Sequence, residues 1–219
     1  TRTWFVCDSP RYWRNRETEL HPARYPEEMV AEFLSFFTKR GGFVLDPFAG
    51  SGATLVACGE SGRMGVGVEL SPKYARIGAG RVRDLFGSQV VIEGDAGEVG
   101  RAKFWGERRA GLEEFGLSFA RNLPQFDFAI TSPPYGRMLR TSRGGVLSKH
   151  RQRAAQGLDT AYSDHPDDLG NITDYGEFIN ALGRVFDGVA KCVKPGKYLV
   201  VVVQNFRDPE GEVRPLAWD

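Results

Sequence analysis

Apolar positions in this chain come in short runs, each separated from the next by stretches in which they recur every three or four residues. The short runs are Gly42-Phe43-Val44-Leu45, Val66-Gly67-Val68-Glu69, Val90-Val91-Ile92, Phe126-Asp127-Phe128-Ala129-Ile130 and Tyr198 to Val203. Runs of this length, bounded by glycine, proline or acidic residues, read as buried strands. Pro26-Glu27-Glu28 opens the first helical pattern, because proline suits a first turn and acids there favour the helix dipole. Val30, Phe33, Leu34 and Phe37 give that helix an apolar face, and Gly41-Gly42 stops it. Further helices are read at about 52–59, at about 72–85 with Tyr74, Ile77, Val82 and Leu85 inward, and from Asp174 to Val193 with Phe178, Leu182, Val185, Phe186 and Val189 inward.

Strands alternating with helices predict right-handed βαβ units, and so an α/β, doubly wound, mainly parallel sheet. The expected strand order is 3-2-1-4-5. Residues 99–125 read as a helical insertion with Leu112, Phe115, Leu117 and Phe119 as its apolar set, whereas 136–173 has little periodicity. A chain of 219 residues fits one domain. Within it, 21–135 carries the distinctive motifs, 136–173 forms a long loop, and 174–219 supplies a final helix and strand.

Composition changes this picture little, with 41% hydrophobic and 26% charged residues. The net charge of +1 gives no global signal for nucleic acid, so any such contact must be a local patch. One patch stands out. Gly136 to Arg153 holds six basic residues and no acid, and Ala154 to Glu177 holds six acids and no Lys or Arg. Cys7, Cys58 and Cys192 form neither a disulfide nor a metal-ligand pattern, which suggests a reducing, cytoplasmic setting and no metal. Cys58 and Cys192 fall in helical patterns and read as core. The longest unbroken apolar run, Tyr198 to Val203, is far short of a membrane span.

Two loops carry the chemistry. Asp46-Pro47-Phe48-Ala49-Gly50-Ser51-Gly52-Ala53-Thr54 follows the first strand and Ser132-Pro133-Pro134-Tyr135 follows the fourth. Ligands of open α/β sheets bind beyond the carboxyl ends of the strands, so both loops can face one crevice. The first loop lacks the G-x-G-x-x-G spacing of dinucleotide sites and has an acid before its turn. An acid there receives a cationic amino group and repels a pyrophosphate. Taken alone, the glycines need only make a tight strand-to-helix turn. Glu69 ends the second strand as a ligand acceptor or a solvated acid, and Asp95 ends the third as a ligand acceptor or a turn cap.

Together these strings resemble the amino-methyltransferases of DNA, which move a methyl group from S-adenosyl-L-methionine to an exocyclic base nitrogen. The resemblance implies a Rossmann-like fold with that cofactor held by Asp46, Phe48, Gly50, Ser51, Gly52 and Thr54, by Glu69 at the ribose and by Asp95 at the adenine. His21-Pro22-Ala23-Arg24-Tyr25-Pro26 is similar to the family's motif bordering the methionine end. The catalytic group is Ser132, Pro133, Pro134 and Tyr135. Acceptors that bind the amino hydrogens favour the pyramidal nitrogen of the transition state, and Tyr135 offers a stacking surface for an extruded base. Serine at the first position goes mostly with cytosine N4 in this family, and aspartate with adenine N6. Arg137, Arg140 and Arg143, directly after Tyr135, are placed to meet phosphates; alternatively the basic and acidic blocks pair with each other.

DNA is the implied partner, and a cognate restriction endonuclease is a further partner the resemblance allows. Adenine-N6 methylation, RNA base methylation and a non-catalytic cofactor-binding subunit are the alternatives. The family's sheet has seven strands. Here Gln204 to Val213 reads as a polar turn and Arg214-Pro215-Leu216 as the opening of a helix. The expectation is therefore a sheet truncated after strand 5, with that strand at an uncovered edge.

Overall fold

The structure is a computed structural model that describes residues 25–85, 87, 89–134, 155–157, 163, 165–207 and 212–217. Helix α1 (Glu27–Phe37) leads into β1 (Phe43–Asp46), α2 (Ala53–Glu60), β2 (Met64–Glu69), α3 (Pro72–Val82) and β3 (Val90–Glu93). Short helices α4 (Ala102–Gly106) and α5 (Arg109–Glu114) precede β4 (Phe119–Ala120), β5 (Leu123–Pro124) and β6 (Phe126–Thr131). Helix α6 (Tyr175–Cys192) runs directly into β7 (Val193–Val201), followed by β8 (Phe206–Arg207) and β9 (Val213–Arg214).

Five strands form one sheet in the order β3-β2-β1-β6-β7, and every pair in it is parallel. This is the expected 3-2-1-4-5 order of a Rossmann-like α/β fold. Side chains alternate across the sheet. Val44, Phe128 and Ile130 pack beneath α1 with Val30 and Leu34, while the adjacent Leu45 and Ala129 face the opposite layer with Val185 and Val189 of α6. Asp174 caps α6, its carboxylate accepting the Glu177 N–H at 2.8 Å. Cys58 and Cys192 are buried, as their helical positions implied.

Three expectations need correction. The 99–125 segment is only half helical. Gly116, at φ 90°, follows α5, and Arg121 and Asn122 then adopt left-handed backbone to close a β4–β5 hairpin. Leu112 and Leu117 are buried as expected, but Phe115 is 43% exposed, and the wholly buried anchor is Trp105, whose Nε1 donates to Val99 O. Second, β7 starts before Pro195-Gly196 rather than after it. Val193 pairs with Phe126 and Tyr198 with Phe128, so the Pro-Gly stretch is an irregularity inside the strand. Third, residues 206–207 and 213–214 form a separate antiparallel hairpin, where a turn and a helix opening were expected. Among the described residues β7 pairs only with β6, and no helix is long and apolar enough to cross a membrane.

Candidate active site

One cavity lies beyond the carboxyl ends of β1, β2, β3 and β6. The loop after β1 contributes Phe48, Gly50 and Ser51; β2 and the turn after it contribute Glu69 and Ser71; Asp95 comes from the end of β3. Ser132 and Pro134 line it from the loop after β6, and Asp167, Asp168 and Leu169 close it ahead of α6. Topology explains the convergence, because parallel strands deliver all their following loops to the same end.

The cofactor-type loop is tightly held. Gly50 and Gly52 have φ of 53° and 84°, a left-handed region that glycine enters at no steric cost. A Cβ on Gly52 would also lie 3.2 Å from the Gly78 Cα, so the loop rests directly on α3. Glu69 clamps it from the other side. Its two carboxylate oxygens accept the N–H groups of Gly50 and Ser71, each at 2.8 Å. Burial pushes the Glu69 carboxyl up to about 7; those two backbone donors oppose the rise, and the Asp46 and Asp168 charges add to it. Ser51 is 2% exposed, and its Oγ has no hydrogen-bond partner among the described residues.

Asp46 is not where the sequence reading puts it. It does not line the cavity and is 1% exposed. One carboxylate oxygen accepts the Phe48 N–H at 3.0 Å and the Thr131 hydroxyl at 2.6 Å. The other accepts the hydroxyls of Tyr25, at 3.0 Å, and Thr54; those two hydroxyls also contact each other. Burial raises the Asp46 carboxyl against these four donors, and burial with the neighbouring Asp46 charge raises the Tyr25 phenol well above its usual value. A carboxylate with four internal donors and no cavity surface is a poor direct acceptor for a ligand's amino group. Gly52 and Thr54 also stand behind the cavity wall rather than in it.

The remaining candidates divide similarly. Asp95 lines the cavity and caps the following turn by accepting the Gly97 N–H at 2.8 Å. Pro133 is buried and is not part of the lining. Tyr135, Arg137, Arg140 and Arg143 lie outside the described residues, as do His21 to Arg24. Sequence reasoning missed the wall formed by Ser163 and by Asp167 to Leu169. There Asp168, 6% exposed, accepts the Ser163 hydroxyl at 2.7 Å and the Gly170 N–H at 2.8 Å. Its only sequence signal is the acid-rich block. Tyr25 and Tyr74 also line the cavity, the first read only as part of a motif and the second only as core.

A family model described as DNA methylase (N6_N4_Mtase) matches residues 1–79. The type II methyltransferase M.Cfr9I of Citrobacter freundii is 41% identical over 63 residues, 29% of this chain and 21% of that protein. M.ScaI, a type II methyltransferase of Streptomyces caespitosus, is 35% identical over 66 residues, 30% of this chain and 22% of its own. The DNA adenine methyltransferase YhdJ of Escherichia coli (strain K12) is 36% identical over 78 residues, 35% of this chain and 26% of its own. The chain thus aligns with less than a third of the length of these curated relatives. The matched segment holds the loop after β1 and the Glu69 turn, two sides of the cavity just described, and over that segment the chain is similar to DNA methylases.

Proposed function

We propose that the cavity binds S-adenosyl-L-methionine and that the chain transfers a methyl group to the exocyclic amino nitrogen of a DNA base, cytosine N4 in preference to adenine N6. The observation that carries this reading is that one cavity is lined both by Phe48 and Gly50 of the loop after β1 and by Ser132 and Pro134 of the loop after β6, with Glu69 and Asp95 beside them. The lining fits this cofactor and not a phosphate: Glu69, Asp95, Asp167 and Asp168 are all carboxylates. Within this reading Glu69 accepts ribose hydroxyls and Asp95 the adenine amino group.

The bound cofactor supplies an electrophilic methyl group on a cationic sulfur. The chain's part is to make the amino nitrogen nucleophilic. Its lone pair is delocalised into the base ring, and attack requires a turn toward sp³. Ser132, which lines the cavity, binds the amino hydrogens and favours that geometry. Tyr135 stacks on the extruded base, and Arg137, Arg140 and Arg143 neutralise flanking phosphates. The serine at position 132 is what favours cytosine N4, by the family's pattern; the relative YhdJ is named for adenine.

Two measurements test the parts. Calorimetry with S-adenosylhomocysteine is expected to show affinity rising with pH through about 7. The sign follows from the raised Glu69 carboxyl: below that pH it carries a proton that must leave before it can accept two hydroxyls. Each pH unit further down then costs up to about tenfold in affinity. Glu69→Gln should bind weakly with no such slope; a slope unchanged in Glu69→Gln contradicts the assignment. Replacing Arg137, Arg140 and Arg143 together by alanine is expected to weaken DNA binding and flatten its dependence on salt, leaving S-adenosylhomocysteine affinity alone. A salt slope equal to the parent's would remove these residues from the phosphates.

A further inference from the structure

The Asp46 carboxylate touches three separate parts of the site at once. Tyr25 precedes α1, Thr54 opens α2 behind the glycine loop, and Thr131 is the last residue of β6, directly before Ser132. Thr131 and Asp46 are 85 positions apart in sequence, both fully or almost fully buried, and joined at 2.6 Å. The same carboxylate oxygen that takes the Thr131 hydroxyl takes the Phe48 N–H of the cofactor-side loop. Behind Thr131, its carbonyl accepts the Val202 N–H at 2.8 Å.

We propose that Thr131 is a positioning residue for the reaction: through Asp46 it fixes the Ser132–Pro134 backbone relative to the loop Phe48–Gly52. The inference rests on the proposed methyl transfer for its catalytic consequence, but not for its structural one. Donor and acceptor for a group transfer must be held in register to a fraction of an ångström, because a small misplacement of the reacting atoms costs rate steeply. The β6 strand supplies one side of that geometry and β1 the other. The backbone ladder between them pairs Val44 with Phe128 and Leu45 with Ala129, and no further. Past the end of that pairing, the Thr131–Asp46 hydrogen bond is a side-chain tie between the two strand ends from which the loops depart. A charge-assisted, buried bond is directional and excludes water, so it holds where the ladder has stopped.

The role differs from that of a ligand-binding group, and the difference is measurable. Thr131→Val keeps the shape and removes the hydroxyl, leaving Asp46 three donors. Affinity for S-adenosylhomocysteine is expected to stay within about threefold of the parent, since the Phe48, Thr54 and Tyr25 bonds persist. The rate constant of methyl transfer at saturating cofactor is expected to fall roughly ten- to a hundredfold, the size of one charge-assisted hydrogen bond. Thr131→Ser, which restores the hydroxyl, is expected to recover most of that loss. A parental rate in Thr131→Val, or equal loss of affinity and rate, overturns the inference.

Crystal structures of the parent and Thr131→Val, both without ligand, read the same claim without reference to catalysis. The Ser132–Pro134 backbone is expected to shift over an unmoved glycine loop. If it does not shift, the inference fails even where the parent methylates DNA. If it shifts and the parent transfers no methyl group to any nucleic acid, the proposed reaction fails and the positioning tie stands.

Discussion

Replacing Asp46 by alanine is expected to cost the protein its fold before it costs the site its ligand. The substitution strands three hydroxyls and one backbone N–H in a region with almost no solvent access. A buried donor left without an acceptor costs about 1–3 kcal/mol. Some of that is offset, because burying the carboxylate is itself unfavourable, as its raised proton affinity indicates. Tyr25 and Thr54 can also partly satisfy each other. A net loss of roughly 3–5 kcal/mol remains, against a total stability of about 5–15 kcal/mol for an ordinary domain. Denaturant unfolding is the measurement, and the midpoint should drop sharply in Asp46→Ala. A variant with parental stability and abolished S-adenosylhomocysteine binding would restore Asp46 to direct ligand contact and contradict this account.

Arg81→Met carries the second large effect. The Arg81 guanidinium on α3 meets Glu27 on α1 at 2.6 Å, with side-chain exposures of 6% and 7%. A second guanidinium nitrogen donates to the Ser51 carbonyl at 2.7 Å. One side chain thus pins the first helix, the third helix and the glycine loop. Removing it leaves the Glu27 carboxylate buried and unpaired, which costs about 3–5 kcal/mol. Replacing both partners removes the uncompensated charge, so Glu27→Met combined with Arg81→Met should recover much of the stability lost by Arg81→Met alone. The Ser51 carbonyl stays without its donor in the double variant. Stability should therefore return while S-adenosylhomocysteine affinity does not. Additive losses in the double variant, or full recovery of affinity, would show that the pair does not act as described.

The sheet order was legible because each strand is a short apolar run and each crossover has a helical period; nothing else packs that alternation. The loops after β1, β2, β3 and β6 were legible for the same reason, since parallel strands send them all to one end. What was not legible was the connection among side chains. Thr54 and Thr131 look like an ordinary helix residue and an ordinary strand end, and only the fold brings their hydroxyls to Asp46. An acid after a strand reads equally well as a ligand acceptor and as an internal junction, and burial decides between them. The hairpin at 119–124 was hidden because Leu112, Phe115 and Phe119 happen to keep helical spacing across Gly116. Asp168 was hidden because its segment has no period at all; its place in the wall depends on local bonds to Ser163 and Gly170.

Transfer of a labelled methyl group from S-adenosylmethionine to nucleic acid tests the central claim most directly. The protein is incubated separately with duplex DNA, single-stranded DNA and RNA, and each product is digested to nucleosides for mass spectrometry. The account predicts label in DNA, as N4-methylcytosine, and its loss in Ser132→Ala. N6-methyladenine in DNA would keep the reaction class and overturn the base preference drawn from Ser132. Label in RNA alone, or no label in any substrate from folded protein that binds S-adenosylhomocysteine, would contradict the account.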